Sequence, residues 1–146
     1  MAECYTTEEN RLIINGTYEN TLDIEGLSQM MKNPSYCYKF YWLEAIVNLI
    51  SRGIQQTTFS DIIDEMITNA WFSVREYHIH LSGIKADGTL LDGLERTIVL
   101  LSQLSGLPAN ASKDEIKNAI KEYEKELKRT KEQLTHMVPY RALSDF

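Results

Sequence analysis

The chain has 146 residues, 43% of them hydrophobic and 25% charged, with a formal net charge of −6. A domain of this length buries roughly two thirds of its unfolded surface, so neither disulfides nor a metal is needed to complete a core. The negative charge excludes a surface that binds nucleic acid all over, and the scarcity of Pro (3) and Gly (7) favours helices over a many-turned β fold.

The charge is uneven. Residues 1–35 carry a net of −4, whereas residues 101–146 carry a net of +1, so any basic patch belongs to the last third. Two cysteines, Cys4 and Cys37, do not make a disulfide framework. Residues 1–10 are acidic and polar and do not resemble a signal peptide, so a cytoplasmic location is expected.

In chain order, residues 1–20 read as a flexible or extended arm, with Arg11 to Ile14 as a short strand and Asn15-Gly16 as a turn. Residues 21–31 read as a short helix with Leu22, Ile24, Leu27, Met30 and Met31 as apolar contacts, ended by Asn33-Pro34. Residues 35–52 are the most apolar and aromatic stretch. Their polar members Lys39, Glu44, Asn48 and Arg52 are confined to one narrow stripe of a helix, which predicts a largely buried central helix with Cys37 inside it. Ser35 is its candidate cap and Gly53 its left-handed stop. The stretch is long enough to span a bilayer but too polar and Tyr-rich to face lipid, so no membrane is expected.

Thr58 with Asp61 opens the next helix, whose Phe59, Ile62, Ile63, Met66, Ile67, Ala70, Trp71 and Val74 make one wide apolar face. Asp61, Asp64, Glu65, Thr68 and Asn69 take the other face. Such carboxylates at one turn either hold a hard cation or, far more commonly, form a solvated acidic face. Tyr77 to Leu81 alternates, which allows a short hairpin near residues 77–86. His78 and His80 on a strand would share a face, as a metal pair does, but a zinc site needs three or four ligands. Asp87 or Thr89 opens a third helix with Leu91, Leu94, Ile98, Leu101 and Leu104 inward, closed by Gly106 and Pro108.

Ser112 and Glu115 form a capping box for a charged helix to about His136, ended by Pro139. Ile116, Ile120, Tyr123, Leu127 and Leu134 make a thin seam, with Thr130 in its gap, suited to lying on the domain surface or against a partner. Self-association through residues 116–134 is therefore an expected mode. Its bases Lys113, Lys117, Lys121, Lys125, Lys128, Arg129 and Lys131 form a run, in which Lys117, Lys121 and Lys125 are successive i,i+4 neighbours. Lys117, Lys121, Lys125, Lys128 and Arg129 are the candidate nucleic-acid contacts; the competing reading is a solvated face partly neutralised by Glu122, Glu124 and Glu126. No nucleophile elbow and no glycine-rich phosphate loop occurs in the sequence. The residues thus predict an all-α domain over 21–146 of four or five helices, with no catalytic residue, metal or cofactor.

Three stretches carry a resemblance. The first runs from Ser35 through Tyr36, Tyr38, Lys39, Phe40, Tyr41 and Trp42 to Ala45-Ile46. The second is Phe59-Ser60-Asp61-Ile62-Ile63-Asp64-Glu65-Met66 with Ala70-Trp71-Phe72-Ser73-Val74. The third is Val138-Pro139-Tyr140-Arg141-Ala142-Leu143-Ser144-Asp145-Phe146. In order and spacing they resemble the N-terminal region of bacterial proteins that end in an HNH endonuclease domain. Two positions depart from that family, which often has proline where Ser73 and Asp145 stand.

The resemblance implies a helical accessory region placed before a metal-dependent nuclease, positioning DNA or the catalytic domain. A ββα nuclease unit needs histidines as well as an asparagine, and after His80 the single histidine His136 remains. The chain is accordingly read either as a piece that stops before the nuclease or as a free-standing relative without one. The alternative function is a protein-interaction or regulatory helical module with no nucleic-acid role.

Overall fold

The computed structural model describes residues 25, 26, 29, 37–82, 84–90 and 92–142. Among these residues the fold is all-α, with five helices: α1 Tyr38–Ser51, α2 Phe59–Arg75, α3 Gly93–Ser105, α4 Lys113–Glu122 and α5 Glu124–Ala142. Ser35, the strand at Arg11 to Ile14 and the 1–20 arm lie outside the described residues. Of the expected 21–31 helix, Glu25, Gly26 and Gln29 are helical, and Gln29 Nε2 donates to Glu25 Oε1 at 2.8 Å.

The centre of the molecule is α2, not the 35–52 stretch. α2 packs on all four other helices and buries Ile62, Ile63, Met66, Ile67, Ala70, Trp71 and Val74. Its start is set locally: Thr58 Oγ1 accepts from Asp61 N and Asp61 Oδ2 accepts from Thr58 N, a capping box that satisfies two end donors. Trp71 Nε1 donates to Pro108 O at 3.1 Å, tying α2 to the turn after α3. Phe59, expected in the core, is half exposed, with its ring 6.0 Å from that of Trp42.

α1 buries one row only, Tyr38, Trp42, Ala45 and Leu49, while Phe40, Val47 and Ile50 are exposed. Lys39, assigned to the polar stripe, is buried. Cys37 is not a buried thiol: it is exposed at the N-cap position and supplies no side-chain cap bond. The helix ends as expected at Gly53 (φ 78), where Gly53 N bonds Ile50 O and Ile54 N bonds Leu49 O, the paired bonds of a Schellman stop.

Among its described residues the link from α2 to α3 contains no strand. His78 has φ 49, which breaks the extended run expected over Tyr77 to Leu81. The antiparallel contact lies further on, a single Ile84–Leu90 bridge, with Lys85 N donating to Thr89 O across a turn at Gly88. Asp92, not Asp87 or Thr89, caps α3 and accepts from Glu95 N; Asp87 instead accepts from Thr89 N. Gly106 (φ 66) closes α3. Leu104 is only half buried, and Leu91 lies outside the described residues.

The single charged helix expected from Ser112 is two. Its Ser112–Glu115 capping box is present, but Tyr123 (φ −100, ψ 23) interrupts it. Tyr123 N still bonds Ala119 O, and Leu127 N bonds Tyr123 O, so the junction is a bend and not a reversal. Ile116, Ile120, Leu127 and Leu134 are buried within this one molecule, which removes the 116–134 seam as a surface for self-association. Pro139 does not end α5, which runs on to Ala142. Val138 and Pro139 are both buried, and packing of this last turn offsets the missing amide donor.

Candidate functional site

The polar face of α2, expected to be solvated, carries ion pairs that reach the interior. Glu65 is 3% exposed, and its Oε2 receives two cations: Arg52 Nη2 at 2.7 Å and Lys117 Nζ at 3.0 Å. One helical step away, Lys131, also 3% exposed, lies between two carboxylates. Its Nζ is 2.6 Å from Glu124 Oε2 and 2.7 Å from Asp64 Oδ1. The Asp64 approach is a charge contact out of hydrogen-bond alignment, which leaves the buried Oδ1 without a bonded donor. Three cations and three carboxylates therefore form an ionic seam joining the C-terminus of α1 to α2, α4 and α5.

The electrostatics suit fixed charge better than proton transfer. Burial alone would raise the Glu65 carboxyl, but the hydrogen bonds and charges of Arg52 and Lys117 outweigh it and hold the pKa below the usual range. For Asp64 the balance is reversed: burial raises its pKa and the contact with Lys131 only partly offsets it. Burial lowers the Lys131 ammonium, and the charge contact with Asp64 together with the bond to Glu124 overcomes this and raises it. Lys131 thus stays protonated, and Glu65 is a weak base.

Two open grooves flank the seam. The first, about 470 Å³, lies between Arg52, Ile54, Thr57, Asp61, Lys117 and Lys121. The second, about 370 Å³, lies between Ser60, Lys125, Lys128, Thr135 and His136, with Glu124 and Glu132 on its wall. The predicted basic residues divide accordingly. Lys117 is turned inward to Glu65, Lys121 edges the first groove, and Lys125 and Lys128 edge the second, with Lys128 Nζ 3.9 Å from Glu132. Arg129 is exposed. The stripe of Lys117, Lys121 and Lys125 is interrupted by the bend at Tyr123.

His78 and His80 do not converge. His78 is exposed, whereas His80 Nδ1 lies 2.7 Å from Oε1 of the buried Glu95, whose Oε2 accepts from Leu81 N. Ser82 Oγ donates to the capping Asp92, so these contacts pin the 80–82 loop to the start of α3. No group of three metal-ligating side chains occurs among the described residues. Nor is any helix among them long and apolar enough to cross a membrane.

The sequence places Arg52, Glu65 and Lys131 only in a polar stripe, an acidic face and a basic run; that they pair in the interior it does not show. For Lys131 a signal existed: Leu127, Lys131, Leu134 and Val138 step by four, three and four, so Lys131 and not Thr130 fills the gap in the apolar row. Glu65 had no comparable signal, because its partners come from distant parts of the chain. No family model, curated protein or solved structure matches this chain.

Proposed function

We propose that this chain is a non-catalytic helical accessory domain of the kind that precedes an HNH nuclease, positioning DNA or the nuclease domain. The observation that carries the reading is the division of its ionisable groups. Those at the centre, Glu65, Asp64, Lys117 and Lys131, hold one another and fasten helices together. On the exposed side of α4 and α5, Lys121, Lys125, Lys128 and Arg129 stand among Glu122, Glu126 and Glu132, and Lys125 and Lys128 edge one open groove. A rigid scaffold that holds these bases beside a groove suits local backbone contact to DNA despite the net charge of −6. The three-part sequence resemblance supplies the nuclease context.

The test is fluorescence anisotropy with a labelled DNA duplex over a salt series. Weak binding at low salt is expected, and changing Lys121, Lys125, Lys128 and Arg129 together to Gln should lower affinity by about tenfold or more and flatten the salt slope by roughly 3. Equal binding by the variant, or no binding by the wild type at low salt, would overturn the DNA part. Cleavage of DNA by this chain alone with Mg²⁺ or Mn²⁺ would overturn the non-catalytic part. A second reading, a protein-interaction module, is favoured by the open apolar face of α1.

A further inference from the structure

The two grooves beside the ionic seam differ in what their polar groups still have to offer. In the first, Arg52 and Lys117 are both engaged by Glu65 Oε2, at 2.7 Å and 3.0 Å, and Asp61 is held by Thr58. The second, about 370 Å³, lies between Ser60 in the first turn of α2 and the side of α5 that carries Lys125, Lys128 and His136. There the carboxylates are the engaged groups. Glu124 Oε2 holds the buried Lys131 at 2.6 Å, and Glu132 Oε1 lies 3.9 Å from Lys128 Nζ. Thr135 gives its hydroxyl hydrogen to Lys131 O at 3.0 Å. Ser60 Oγ, Lys125 Nζ and the His136 ring have no hydrogen-bond or ion-pair partner among the described residues, and the Lys128 contact is too long for a hydrogen bond. A hydroxyl and an ammonium donate, and an imidazole keeps one N–H even when neutral. What this groove has left over is therefore four donors.

We infer that this groove is the seat of one phosphate group, held by Ser60, Lys125, Lys128 and His136. Unspent donors select an acceptor. A cation would compete with Lys131 for Glu124, and an apolar ligand would cover ammonium groups and give them no partner. Donors that come from two helices select a tetrahedral oxyanion over a carboxylate, whose two oxygens lie in one plane. Glu132 is the carboxylate that opposes the anion, since Glu124 is already bonded to Lys131. The first groove does not qualify, because Glu65 already occupies its Arg52 and Lys117 as an internal anion. A DNA backbone and a free phosphate are two sources of the same group, so the seat does not depend on the DNA reading.

The experiment is two-dimensional NMR of the full chain at constant pH, titrated with inorganic phosphate to about 50 mM and, separately, with acetate at matched ionic strength. Saturable shifts of the Ser60 amide and the His136 ring are expected with phosphate, at an apparent Kd of about 1–10 mM, and none with acetate. Lys125→Gln and Lys128→Gln should each weaken binding about threefold, and Glu132→Gln should tighten it by a similar factor. Lys85→Gln removes the same charge from an exposed turn outside the groove and should leave binding unchanged. A DNA duplex at low salt should move the same two signals if its backbone is the source. Phosphate binding without DNA binding supports the seat and overturns the DNA reading alone; DNA that binds without moving the two signals overturns the backbone as the source. The seat itself is overturned by no saturable phosphate shift, by an equal response to acetate, by Glu132→Gln binding no better than wild type, or by a loss in Lys85→Gln as large as that in Lys125→Gln.

Discussion

Glu65 and Lys131 are the residues on which the charged interior depends. Glu65 has its folded pKa held below the ordinary value of 4.5, so its contribution to stability is complete above that pH and is lost as the pH falls through the lowered value. Asp64 has the opposite sign: its pKa is raised above 3.8, so its ionisation opposes folding as the pH rises. Wild type should therefore lose stability between about pH 5 and about pH 3 more steeply than Glu65→Gln, measured as urea midpoints across pH. Parallel profiles would show that Arg52 and Lys117 do not hold the carboxylate. Lys131→Met leaves the half-buried Asp64 without its cation and should cost about 3 kcal/mol. Adding Asp64→Leu should recover most of that, because what penalises the single variant is the stranded charge. Urea unfolding of the two variants decides it.

At the scale of elements, most signals carried by neighbouring residues are legible; the exception is the start of α3, where Asp92 caps Glu95 although Asp87 or Thr89 was expected to. Both capping boxes and the Gly53 and Gly106 stops depend on residues within a turn of each other, and each stands where the residues predicted it. Gly53 offers a clean test. Its φ is 78, and an added Cβ would meet nothing within 4 Å, so Gly53→Ala carries only the conformational penalty of the left-handed region, about 1 kcal/mol. A thermal or urea measurement showing no loss would mean that the Schellman stop does not define the end of α1. The other elements misjudged were those whose limits are set by distant contacts. Tyr123 interrupts a helix whose local pattern is continuous, and α5 continues through Pro139 because Val138 is packed in the core. His78 and His80 alternate like strand residues, yet Glu95, fifteen residues beyond His80, draws that ring to the start of α3.

For the whole molecule, the organising helix changed. The 35–52 stretch is apolar over most of its circumference, which predicts burial on all sides. In the fold α2 takes that place, since α4 and α5 lie over its charged face and bring Lys117 and Lys131 to it. α1 is left with one face packed and one open. The 116–134 row, expected to meet a partner, is buried by the molecule itself, while Phe40, Val47 and Ile50 stay exposed. The DNA titration belongs to this scale: it asks whether Lys121, Lys125, Lys128 and Arg129 act locally against a net charge of −6.

The sequence by itself determined the all-α class, the start of α2, the capping boxes and the glycine stops, because helical period and capping depend on residues a few positions apart. Only the tertiary structure decided which charges are buried, which helix lies at the centre and which apolar row stays open. Those outcomes depend on which faces meet: Glu65 becomes an interior ion when Arg52 and Lys117, 13 residues before it and 52 after it, arrive at one of its oxygens.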